Sequence, residues 1–212
     1  MSFKNLDEQD FLVSAEKITS ALWSNYTPTL TSFFTSSAQE ISSTGNYYLT
    51  TYNLSTSDSS SESQFNIVYG DLKGSGSIFY DNTVTGSTPT RTIYGQYRSL
   101  VLGDENSNFV FGNITSSNFY VINIERNRYK ESLLPGSLTL KLTSGSNSLM
   151  LTDDSLITTT NVFTDAGRVY NIVSGSAGTV YTGVNSQGWS AASGSYGWFL
   201  PDIGVLMLNP LA

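Results

Sequence analysis

From residue 107 to residue 209 the chain repeats one pattern: a short apolar run, often alternating with polar residues, closed by Gly, Asn, Asp or Pro. SNFVFG, NFYVINIE, SLTLKLTS, SLMLT, GRVYNIV, TVYTGV and IGVLMLN follow one another in this way. A period of two places successive side chains on opposite faces of an extended backbone. Leu138, Leu140 and Leu142 keep that period cleanly, as a half-buried antiparallel strand should. Too little helical sequence lies between the runs for parallel strand–helix–strand units, so doubly wound folds are disfavoured. The pattern predicts a mainly β fold of antiparallel, sandwich-like sheets. An α+β arrangement is the alternative, because two segments carry helical spacing.

The first of these is residues 6 to 23, where Phe11, Leu12, Ala15, Ile18 and Leu22 fall on one helical face and Asp7, Glu8 and Asp10 occupy the first turn. The second runs from Thr90 to Leu102, with Ile93, Tyr94, Tyr97, Leu100 and Val101 on one stripe despite Gly95. NYYLTTYNL at 46 to 54 and QFNIVYG at 64 to 70 predict two strands, the latter setting Phe65, Ile67 and Tyr69 against Gln64, Asn66 and Val68 with one face in the core. Between them DSSSES at 58 to 63 predicts a mobile loop or a break between subregions. The chain therefore divides into an N-terminal segment with a helix, residues 1–45, and a β-rich domain, residues 46–212.

Composition bears on function more than on fold. Among 212 residues there is no histidine and no cysteine, the side chains most used for nucleophilic, acid–base and metal chemistry near neutral pH. Charged residues make up 13%, so the polar surface is built from Ser, Thr, Asn and Gly; 34 Ser and 24 Thr suit strands and turns. A net charge of −7 argues against gripping nucleic acid, which needs clustered Lys and Arg. Arg126, Arg128 and Lys130 do fall together, but among Glu125 and Glu131, and read as a solvated strand face. No run of 18 apolar residues exists to cross a membrane as a helix, and MSFKNLDEQD is too acidic for a signal peptide.

Each reactive-looking motif has a plainer reading. Ser14-Ala15-Glu16-Lys17 matches the SxxK of serine acyl enzymes, without their companion element, and reads as helix surface. Gly74-Ser75-Gly76 lacks the third glycine of a dinucleotide fingerprint and reads as a turn. Asp153-Asp154, Asp104-Glu105 and Asp165 could bind a hard cation or act as a carboxylate pair on a sugar, though acidic pairs in turns usually cap strands. Sequons at Asn25, Asn53 and Asn113 are incidental without a secretory signal. Trp198 lies in the apolar stretch YGWFLPDIGVLML, where burial in a core or interface is expected, whereas Trp189, with Tyr196 nearby, lies in a Gly- and Ser-rich loop suited to exposed contacts. No catalytic, cofactor or metal residue is assigned, and the chain reads as a binding or structural protein and not an enzyme.

The stretches FNIVYGDLKGSGS, TIYGQYRSLVL, FYVINIERNRYKESLLPGSLTLKL, DAGRVYNIVSGS and LPDIGVLMLNP resemble, in order, stretches of structural proteins of large contractile-tailed phages infecting cyanobacteria. The resemblance spans roughly residues 64 to 210; Leu134 stands where an acidic residue often precedes the proline. It implies a virion protein of the tail or baseplate, made in the host cytoplasm, in an oligomeric or ring-like assembly with other virion proteins. A receptor- or carbohydrate-binding tail-fibre module is the alternative. The expected partner contacts are Phe11, Leu12, Ile18, Leu22 and Trp23 in the N-terminal segment, with Trp189, Tyr196 and Trp198. The larger relatives imply that more sequence could follow residue 212.

Overall fold

In a computed structural model, the described residues are 34–35, 48–55, 57–74, 89–159, 161–181, 194 and 196–212. The predicted helix over residues 6–23 lies outside them. The elements are β1 (Phe34–Thr35), β2 (Tyr48–Tyr52), β3 (Ser63–Asp71), α1 (Pro89–Leu102), β4 (Phe109–Phe111), β5 (Ile114–Ser116), β6 (Asn118–Ile124), β7 (Leu140–Ser144), β8 (Asn147–Asp153), β9 (Val162–Thr164), β10 (Gly167–Ser176), β11 (Thr179–Val180), β12 (Gly197–Leu200) and β13 (Val205–Leu208). Strands β1-β2-β3-β6-β13-β12-β10-β8-β7 follow one another across a curled antiparallel sheet, and β9 and β11 pair with β10. β4 and β5 form a separate hairpin. The mainly β, sandwich-like architecture is thus the one the alternation predicts.

Both faces of the sheet are covered at its centre. On β13, Val205 and Met207 enter one apolar cluster while Leu206 and Leu208 enter the other; on β6, Phe119 and Val121 face the first and Ile122 and Ile124 the second. β3 follows suit, with Val68 packed on the first cluster and Phe65 on the second. The expectation of a single core face for β3 is corrected: a strand near the middle of a covered sheet needs apolar residues on both sides. β6 carries this arrangement because it hydrogen-bonds β3 along one edge, Val68 opposite Val121, and β13 along the other, Met207 opposite Val121.

The first face is closed by α1 and the β4–β5 hairpin. Proline begins the helix where its missing N–H costs nothing. Gly103, at φ 63°, ends it, donating its N–H to the Ser99 carbonyl at 3.2 Å in a left-handed cap that a side chain would strain. Tyr94 is 1% exposed, stacks on Phe119 at 5.1 Å, meets Phe109 edge-on at 5.6 Å and donates its hydroxyl to the Ser116 carbonyl at 3.1 Å. The helix comes this close because Gly70 lies beneath it: a Cβ there would sit 2.7 Å from the Phe119 ring and 3.2 Å from the Tyr94 nitrogen. Ile93 and Tyr97 pack at the margin of this core, but Leu100 is 48% exposed, so the predicted stripe is one residue too wide.

Two other sequence expectations are corrected. Of the two readings of DSSSES, the break between subregions is the one overturned: the segment is a turn joining the paired strands β2 and β3, where Asp58 accepts the Ser60 N–H at 2.9 Å. Arg126, expected with Arg128 and Lys130 on a strand face, lies with Arg128 in a 3-10 turn, Arg126–Arg128. A turn suits them because Arg128 there reaches both Glu62, at 2.7 Å, and the Ser63 carbonyl, at 3.1 Å, across the end of β3.

Candidate interaction surface

The acidic pair Asp153-Asp154 closes β8, and both residues are buried, at 0% and 8% exposed. The Asp153 carboxylate accepts the Gly136 N–H at 2.6 Å, the Leu138 N–H at 3.3 Å and the Ser155 hydroxyl. Asp154 accepts the Asn171 backbone and side-chain amides at 2.9 and 2.8 Å, and its carbonyl accepts the N–H groups of Ile157 and Thr158, each at 3.0 Å. A buried carboxylate is tolerable only with such donors. These two hold a tight turn, and their oxygens are committed to the protein's own amides and the Ser155 hydroxyl. Among the described residues no group of three or more His, Cys, Asp or Glu could hold a metal ion.

The turn projects Leu156 and Ile157, which are 67% and 56% exposed. Leu156 lies over a floor of glycines: a Cβ on Gly178 would be 2.4 Å from it and one on Gly136 2.8 Å. Beyond the turn, β9 pairs with the start of β10, Val162 opposite Val169 and Phe163 opposite Arg168. Val162 is 57% exposed and Phe163 67%. Adjacent strand residues point to opposite faces, so β9 is uncovered on both. β10 is its one partner among the described strands, which leaves its outer hydrogen-bonding edge open.

The hairpin is braced from below. Asp202, in the 3-10 turn Pro201–Ile203, accepts the Arg168 N–H at 2.7 Å and its Nε at 3.0 and 3.2 Å, and forms an ion pair with the guanidinium terminus, which also donates to the Ser132 hydroxyl at 3.3 Å. The Arg168 hydrogen bonds hold the Asp202 carboxyl below the usual carboxylate range. Asp104 is likewise lowered, by the Ser107 hydroxyl and the Asn106 N–H, in a turn of its own.

No protein family, curated protein or solved structure matches the chain. Of the predicted contact residues, Phe11, Leu12, Ile18, Leu22, Trp23 and Trp189 lie outside the described residues. Tyr196 is corrected from an exposed loop position: it is 4% exposed and packs in the second cluster with Phe199 and Leu206, because its carbonyl is drawn in by the Asn209 N–H at 2.9 Å. Trp198 is half-buried against Phe109 and Phe111, ring centres 5.8 and 5.2 Å away, on the core side of its strand. Leu156, Ile157, Val162 and Phe163 were not among the predicted contacts. Their signal is the pairing of apolar neighbours, Leu-Ile and Val-Phe, in a segment otherwise made of Asp, Ser, Thr and Asn, where a half-buried strand would alternate. Among the described residues no helix is long and apolar enough to cross a membrane.

Proposed function

We propose that this chain is a structural protein of a tailed-phage virion, part of the tail or baseplate, which works through protein–protein contacts and performs no chemistry of its own. The observation that carries the contact role is β9: a short strand with apolar side chains exposed on both faces and an outer edge that no other described strand pairs. Such an edge is a liability for a solitary protein and a ready seat for a neighbour that adds a strand and covers the side chains. The virion setting rests on the ordered resemblance from residue 64 to residue 210. The low-charge surface of Ser, Thr and aromatic residues fits a part that meets several neighbours in an oligomeric or ring-like assembly.

Mass spectrometry of purified tails and baseplates from the phage that encodes this chain tests the proposal. Peptides of the chain at a fixed ratio to the other tail proteins are the expected result. A chain abundant in the infected-cell lysate and absent from washed particles would overturn it.

A further inference from the structure

Beside α1 the surface opens into two recesses of about 370 and 280 Å³ that meet at Asn123 and Ile203. Glu125, Arg126, Tyr129 and Asp202 wall the first; Gln96, Tyr97 and Leu100 of the helix and Val205 of β13 wall the second. Asn123 stands in register between Asn66 and Val205, on the helix-covered face of the sheet but beyond the cover. The Tyr129 ring is seated on Gly204, where a Cβ would come within 2.6 Å of it, and the Arg126 guanidinium lies over that ring at 4.6 Å while donating to the Tyr129 carbonyl at 2.7 Å.

The groove keeps hydrogen-bonding groups that no described residue engages. The side-chain amides of Asn123 and Gln96 and the Glu125 carboxylate have no hydrogen-bond partner among the described residues, and neither do the Tyr97 and Tyr129 hydroxyls. Burial raises both tyrosines above the ordinary phenol value, so each presents a neutral O–H. The charges are mixed: Asp202 is held by Arg168, while the Arg126 guanidinium lies over the Tyr129 ring and walls the same recess as the Glu125 carboxylate. An anionic ligand would meet two carboxylates, Glu125 and Asp202. A wholly apolar one would strip water from amides and hydroxyls with nothing in return.

We infer that this groove binds a neutral carbohydrate, whose apolar ring faces lie on Ile203 and Leu100 while its hydroxyls bond to Asn123, Gln96 and Glu125. A polyol ring combines an apolar face with donors and acceptors along its edge, which is the combination these walls offer. The volume suits a ligand site in which a few polar groups fix orientation. None of the groove's walls belongs to β9, so a particle component could hold a neighbour there and a host or envelope sugar here at once.

The full chain on an array of defined neutral and acidic oligosaccharides, followed by titration calorimetry with the strongest neutral binder, tests this. Asn123→Ala and Leu100→Arg should each weaken that binding at least tenfold with an unchanged melting temperature. Leu100 is half-exposed, so its variant carries the test if Asn123→Ala fails to fold. No retained neutral oligosaccharide, preference for acidic glycans or peptides, or undiminished binding by Leu100→Arg would each overturn the assignment. Particle incorporation is read separately, so failure here leaves the structural role standing.

Discussion

Tyr94, Phe109, Phe111 and Phe119 on the helix-covered face are at most 1% exposed, whereas Leu156, Ile157, Val162 and Phe163 at the β9 edge are at least 56% exposed. The two sets have similar chemistry and opposite fates. Where the chain supplies a cover, α1 and the β4–β5 hairpin, aromatic rings interlock and the burial stabilises the fold. Where it supplies a turn pinned by buried carboxylates, the same kind of side chain is held outward. Val162 makes the contrast sharp, because its cross-strand partner Val169 is 7% exposed and belongs to the helix-covered core. Apolar surface at β9 is therefore held exposed by the fold, as the proposed contact role requires.

The comparison predicts a gradient of effects. Phe119→Ala should be the most severe, costing about 3–5 kcal/mol, because it removes a fully buried ring that touches Tyr94, Tyr97 and Phe109. Chemical denaturation would measure it, and a loss under about 1 kcal/mol would mean that this face is not the main core. Asp153→Ala should cost about 2 kcal/mol, since it strands the Gly136 and Leu138 N–H groups, and should loosen the turn that carries Leu156. Faster hydrogen exchange at those two amides, with α1 still protected, is the expected signature.

Acid should act more mildly, on the brace under β9. The folded Asp202 carboxyl titrates below its unfolded value of about 3.9, so its contribution is present above that pH and is lost as pH falls through the lower folded value. Both partners are 31% exposed, so the pair contributes at most about 1 kcal/mol. Asp202→Asn should remove that part of the acid sensitivity, and an unchanged stability profile below pH 4 would show that the pair adds nothing. Phe163→Ala should change stability least, within about 0.5 kcal/mol. A larger loss would mean that Phe163 is packed inside its own fold, which would erase the contrast with Phe119.

The sequence made the strands of the β-rich half legible because a period of two survives wherever one face differs from the other. Helix α1 was legible from the spacing of Ile93, Tyr94, Tyr97 and Val101. The second buried face of β3 was harder to read: Val68 and Phe65 serve different cores, and alternation assigns only one face to the inside. β9 escaped notice because three residues carry no period, and its exposure depends on two carboxylates whose partners, Gly136 and Asn171, are distant in the chain. Tyr196 was misplaced for a related reason: its burial follows from long-range packing against Phe199 and Leu206, while its own neighbours are Gly and Ser.

The central claim is that the β9 edge is built for a neighbour. Under the proposed virion role, Phe163→Asp measures it directly when purified particles carrying the variant are compared with wild type by quantitative mass spectrometry. The account predicts a variant that melts like wild type and is depleted at least tenfold from particles. A folded variant incorporated at the wild-type level would contradict it.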